Sequence, residues 1–298
     1  MKPNQMKPEP IDILNEIRMQ RALRPNETAL LLEGRADCAY FRRVVCRNRC
    51  RLYPAHGKIF ARRAARLALE KGVPGIVALL DRDHDHLLSR ETDSPNVMYT
   101  DANDFETTII QSNAFEEYLH EYLDYDDRDR ILNGTPYQSI GELLLQISGE
   151  IGVLRVLNLQ HTWDLKCRDI EVDQVFNRDE MRVDSELLVD HVFQLSDRPM
   201  VDLQEVKEVY LRTLEGVDDF TLYAQGHDAT RLLAMLLSSQ IWLNDELDLT
   251  GELVEHGLRL CFSVEHFKAT DICQALREWE NANAPFLVLK MLEEQQDD

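Results

Sequence analysis

Along the first 112 residues the apolar positions fall into short uninterrupted blocks, and the stretches between them carry helical periodicity. Thr28–Leu32 (TALLL), Arg51–Pro54, Gly75–Leu80 (GIVALL) and Asn96–Thr100 (NVMYT) are compact runs bounded by turn residues, the mark of buried strands. Between them, 37–45 and 59–71 place apolar side chains on one helical face, with Gly72 as C-terminal cap and Pro74 beyond it. Residues 11–24 read as an amphipathic helix built on Ile13, Leu14, Ile17 and Leu23, stopped by Pro25-Asn26. The order β-α-β-α-β-loop-β-α predicts an α/β fold, a mainly parallel sheet flanked by helices.

Past residue 113 the pattern turns helical, over 114–124, 139–160, 184–195, 202–214, 228–243 and 270–281. A short strand near 165–170 is expected to return to the sheet. The polar stretch 126–130 (DDRDR) and Asn133-Gly134 read as loop. Only the acidic tail EEQQDD is compositionally biased. The expected division is an N-terminal helix over 1–26, an α/β domain over 27–112 and a mostly helical region over 113–298.

Three of the four predicted strands end in acids, and functional groups in parallel sheets gather beyond the carboxyl ends of strands. Leu32 runs into Glu33-Gly34, with Asp37 in the first turn of the next helix, where it would also suit the helix dipole. A Glu closing an apolar strand is poorly matched to a core position. Leu80 runs into Asp81-Arg82-Asp83; in extended chain residues i and i+2 share one face. The fourth strand leads to Asp101, Asp104 and Glu106, of which Asp104 could ligate a cation or cap the following helix. Carboxylates gathered without basic partners repel, and Mg2+ or Mn2+ removes that cost while taking one or two carboxylates, waters and substrate phosphate as ligands. The candidate metal ligands are therefore Glu33, Asp37, Asp81, Asp83 and Asp104. The reading requires Glu33 to lie within about 8 Å of Asp81 or Asp83. Lys58, in His56-Gly57-Lys58, is placed to neutralise a phosphate or is a surface lysine in a turn.

In LLLEGRADCAYF (30–41), AHGK (55–58), GIVALLDRDHD (75–85) and YTDANDFE (99–106) the chain resembles TOPRIM domains, the topoisomerase–primase fold. It is similar in particular to OLD-like TOPRIM nucleases and to the TOPRIM effector nucleases of PARIS anti-phage systems. The resemblance covers roughly 27–112 and the helical remainder only loosely. It implies a Glu after the first strand and Asp-x-Asp after the third, matched by Glu33, Asp81 and Asp83, with Asp37 as a second acid. It also implies Mg2+- or Mn2+-dependent phosphodiester cleavage with Glu33, Asp81, Asp83 and Lys58 as catalytic residues, transfer RNA as one substrate, and an ABC-type ATPase partner that restrains a toxic effector until infection.

Charge sharpens the picture. The chain carries a formal net charge of −21, yet residues 1–75 hold 16 Lys/Arg against 7 Asp/Glu, and the remainder holds 17 against 47. Such a balance argues against indiscriminate coating of nucleic acid and for a localised phosphate-binding or partner-binding surface. Arg42, Arg43, Arg47, Arg49, Arg51, Arg62, Arg63 and Arg66 are candidates for backbone contacts, with solvated or acid-paired helices as the alternative. The six cysteines include no CxxC pair, and Cys46, Cys50 and His56 lack a fourth zinc ligand at a familiar spacing. No GxxxxGK[ST] loop and no nucleophile elbow occurs, which excludes the common ATPase and serine-hydrolase patterns. No apolar run reaches the ~20 residues of a membrane helix and no signal pattern opens the chain, so a cytoplasmic, membrane-free protein is expected. Asp228, after Gln225-Gly226-His227, reads first as a helix N-cap, with His227 beside the metal cluster as a second reading. A homodimer is compatible with the sequence but not demanded by it. Two rival functions stay open: a non-catalytic module that docks nucleic acid or an ATPase, and a nucleotide-sugar site that would leave Glu33 without a role.

Overall fold

Pro10 opens the first helix, α1 (Pro10–Arg21), at a position where its missing N–H costs nothing. Ile13, Leu14 and Ile17 recur at helical spacing and are buried. β1 (Thr28–Leu32) is buried at all five positions, as expected of a strand covered on both faces. Gly34 then caps α2 (Arg35–Phe41), and the Asp37 carboxylate accepts the Gly34 N–H at 2.8 Å. β2 (Cys50–Pro54) leads through His56 and Gly57, both at positive φ, into α3 (Lys58–Glu70). α3 buries only alanines, Ala61, Ala64, Ala65 and Ala68, so its axis can lie close to the sheet. β3 (Ile76–Leu80) and β4 (Val97–Tyr99) complete a four-stranded sheet of order β2-β1-β3-β4, parallel throughout. Alternation sends Ala29, Leu31, Ile76, Ala78 and Leu80 into one core with α1 and α3, while Leu30, Leu32, Val77 and Leu79 are buried on the opposite face.

The computed structural model describes residues 9–178, 180–238 and 249–290. The acidic tail, the first eight residues and 239–248 lie outside it. The described chain forms two compact units. The first takes the segment up to Arg82, Glu91–Asp101 and the stretch from Ser263 onward; the second takes Asp83–Arg90 and Ala102–Phe262.

The second unit is helical: α4 (Phe105–Ile110), α5 (Asn113–His120), α6 (Tyr125–Leu132), α7 (Ile140–His161), α8 (Val172–Val175), a two-residue antiparallel pair β5 (Phe176–Asn177) and β6 (Arg182–Val183), then α9 (Ser185–Leu195), α10 (Leu203–Leu214), α11 (Gly226–Ser238) and α12 (Gly251–Cys261). α7 is its axis, buried from Ile140 to Leu157 on nearly every side.

Three expectations are corrected here. Residues 126–130 are not loop but the body of α6: Asp124 accepts the Asp127 N–H at 2.9 Å, and the acids that looked like solvated charge sit in the first turn, where they favour a helix. The run at 165–170 is not a sheet strand. Asp164 at positive φ turns the chain, Asn158 of α7 clamps Leu165 by two hydrogen bonds, and Cys167–Asp169 forms a 3-10 turn. Asp228 is not an N-cap; it lies inside α11, buried and ion-paired to Arg155 of α7.

The first unit is closed by α13 (Val264–Lys268), α14 (Asp271–Ala282) and the segment to residue 290. Val288 O accepts the Cys46 N–H and Val44 O accepts the Lys290 N–H, an antiparallel bridge at Val45–Leu289. This pairing explains why α2 stops at Phe41 rather than continuing to Val45. Phe267 packs edge-on against Phe41, its ring 5.8 Å away.

Candidate functional site

β1 and β3 are adjacent and parallel, so their carboxyl ends emerge side by side. Glu33 follows β1 directly, and its Oε1 accepts the main-chain N–H of Asp81, which follows β3, at 3.1 Å. The strand pairing extends past β2: Leu32 O accepts the Ala55 N–H and Glu33 O accepts the Gly57 N–H. Gly57, at φ 114°, takes a backbone conformation open to glycine and swings the chain into α3 with Lys58 as its first residue. Lys58 Nζ reaches across to donate to the Arg82 carbonyl at 3.0 Å and lies 5.9 Å from the Tyr99 ring. Arg82 is fixed in turn by Thr100 Oγ1, which accepts its N–H at 2.9 Å. Glu33, Asp37, Asp81 and Lys58 thus lie along the carboxyl edge of one sheet, each half-buried.

The other two candidates belong to the second unit. The backbone does not stay extended from Asp81 to Asp83: Asp83 has φ 50° and donates its N–H to Asn103 O. The shared face expected of residues i and i+2 therefore does not hold here. Asp104 caps α4 by accepting from Thr107, and its second oxygen accepts the Gly226 N–H at 2.7 Å. Burial, with a smaller push from the Asp83 charge, holds the Asp104 carboxyl above its ordinary range. Glu106 is raised to about 7, chiefly by burial and by Asp104, although Arg259 pairs with it. Asp101 is used as a docking group, accepting the N–H of Asp271 and Ile272 at the start of α14. His227 pairs with Glu255.

Among the described residues no group of three or more His, Cys, Asp or Glu side chains is arranged to hold a metal ion. The donor chemistry at the sheet edge nevertheless suits a hard cation. Magnesium needs only one or two carboxylates and fills the remaining positions with water and substrate oxygens. Glu33 and Asp81, on neighbouring strand ends, are the residues that would supply them, with Asp37 in the first turn of α2. The six cysteines are free thiols. Among the candidate arginines, Arg49 donates to Pro285 O, Arg51 pairs with Glu27, and Arg43 lies over the Tyr40 ring, while Arg42 and Arg63 are exposed and Arg62 is half-buried on α3. Arg24 and Arg35 went unnoticed in the sequence, because neither sits in a basic run. No helix among the described residues is long and apolar enough to cross a membrane. Neither the protein-family models nor the curated proteins contain a match to this chain.

Proposed function

We propose that this chain is a Mg2+- or Mn2+-dependent nuclease of TOPRIM type that cleaves the phosphodiester bonds of nucleic acid, RNA or DNA, with transfer RNA as one candidate substrate. One observation carries the reading: the Glu33 carboxylate, from the end of β1, meets the main chain of Asp81 at the end of β3. Two acids from separate segments are thereby held at one sheet edge, with the Lys58 ammonium beside them. The bound cation would supply a lowered pKa for an attacking water and charge for the leaving oxygen. Glu33 and Asp81 would hold it. Lys58 would orient the scissile phosphate and offset its developing charge. On the resemblance of segments 30–41, 55–58, 75–85 and 99–106, we further propose that the activity is a toxic, cytoplasmic effector of anti-phage defence, held in check by an ABC-type ATPase.

A non-catalytic docking module is favoured by one feature: the Glu33 and Asp37 carboxylates both accept main-chain N–H bonds, which is a structural use. Glu33→Gln separates the two readings, because the amide keeps an oxygen for the Asp81 N–H but has no charge for a cation. We expect purified wild type to cut labelled transfer RNA or plasmid DNA with Mg2+ or Mn2+, and Glu33→Gln and Asp81→Asn to lose at least roughly 100-fold in rate while melting normally. Cutting by Glu33→Gln at the wild-type rate would sink the assignment.

A further inference from the structure

Edge strand β2 and helix α2 wall a groove of about 490 Å3 in the first unit. Its charged lining is five arginines, Arg24, Arg35, Arg42, Arg47 and Arg51, against a single acid, Glu27. That acid is already satisfied: Glu27, 5% exposed, pairs with Arg24 at 3.2 Å and with Arg51 at 3.1 Å. Arg35, Arg42 and Arg47 are exposed and make no ion pair among the described residues. On a chain of net charge −21, where most cations could find acidic neighbours, three guanidinium groups are left facing one groove. Their mutual repulsion is relieved by an anion bound among them.

The chemistry of the lining narrows that anion. Every basic group is arginine, whose planar fork matches phosphate oxygens two at a time. Among the described residues no aromatic ring lines the groove, so none of them stacks on a base. The five-residue strand beside it runs roughly 16 Å, longer than one phosphate and suited to a chain of them. Arg35 stands two residues from Glu33, and Pro54 four residues before Lys58, so the groove ends at the acidic edge of the same sheet.

We propose that this groove binds the phosphodiester backbone of a nucleic acid, without reading its sequence, and feeds it to the carboxylate edge; the last step rests on the nuclease reading, the binding does not. Phosphate-only recognition by arginines is salt-dependent, losing about 0.7 in the logarithmic salt slope for each single-strand contact removed.

The test is fluorescence anisotropy of the full chain with a short labelled single-stranded RNA, in EDTA so that no metal-dependent cutting intervenes, between roughly 50 and 200 mM salt. Wild type should bind with a steep salt dependence. R35Q/R42Q/R47Q should bind at least 10-fold more weakly with a slope shallower by about 2, and R35K/R42K/R47K should restore most of the slope. All three side chains are exposed, so melting of either variant should match wild type. Equal affinity and slope in the Gln variant overturns the proposal. So does preference for phosphatidylserine vesicles, or displacement of the RNA by inorganic phosphate at equal phosphate concentration. Wild type that binds RNA but never cuts it with Mg2+ overturns the nuclease reading and leaves the groove standing. A Gln variant that both binds and cuts like wild type does the reverse.

Discussion

Asp228 shows how much one side chain can carry. It stands three residues into α11, 1% exposed, and its Oδ1 accepts from Arg155 Nη2 at 3.0 Å inside the second unit. Removing one member of a buried pair leaves the other charge without compensation. Asp228→Ala should therefore cost about 3–5 kcal/mol in urea unfolding. Next to it, His227 donates from Nδ1 to Glu255, and that hydrogen bond and the Glu255 charge hold the imidazole up to about 9, against the lowering effect of burial. A base raised in the folded state contributes stability that is complete below pH 6.5 and is lost as pH rises through about 9. The melting temperature of wild type should fall across that interval. Glu255→Gln should flatten the fall; an unchanged pH profile in that variant would show that the pair does not set it.

At the scale of elements, α7 depends on two residues that have no side chain. Cβ atoms at Gly149 and Gly152 would run into the main-chain carbonyls of Phe220 and Tyr223, in the 3-10 turn Phe220–Leu222 and just beyond it. Backbone cannot give way as a flexible side-chain tip can. Gly152→Ala, which would raise helix propensity in isolation, should instead destabilise the second unit by about 1–3 kcal/mol, read by thermal melting. The gain expected from propensity alone would contradict the packing account.

At the scale of the molecule, the sheet unit is finished by chain that arrives some 160 residues after β4. Phe267, Ile272, Leu276, Trp279, Val288 and Leu289 are all buried, and Glu280 accepts the N–H of both Val288 and Leu289. Ending the chain at Phe262 leaves every strand sequence intact but uncovers that apolar surface. We expect the truncated protein to aggregate on sedimentation and to lose cooperative melting; a monomer with wild-type melting would show that the return segment is dispensable.

The four strands and the helices between them were legible because each is specified locally, by a compact apolar run or a 3.6-residue period, and β1, β3 and α7 fall within a residue or two of where the pattern puts them. The acids at the ends of β1 and β3 were legible for the same reason: a charge that closes an apolar strand has few places to go. Local pattern failed where charge masked a helix or where a partner outside the segment decided the outcome. α6 was hidden by its own charges, Asp228 by Arg155, the run at 165–170 by Asn158, and the end of α2 by the residues that pair with Val44–Cys46. The basic groove was hidden too, since Arg24, Arg35 and Arg47 become neighbours only once β1, α2 and β2 pack. A sequence fixes what each short segment prefers, because that energy is local; which side chains share a surface depends on contacts whose entropy of closure only the assembled core offsets.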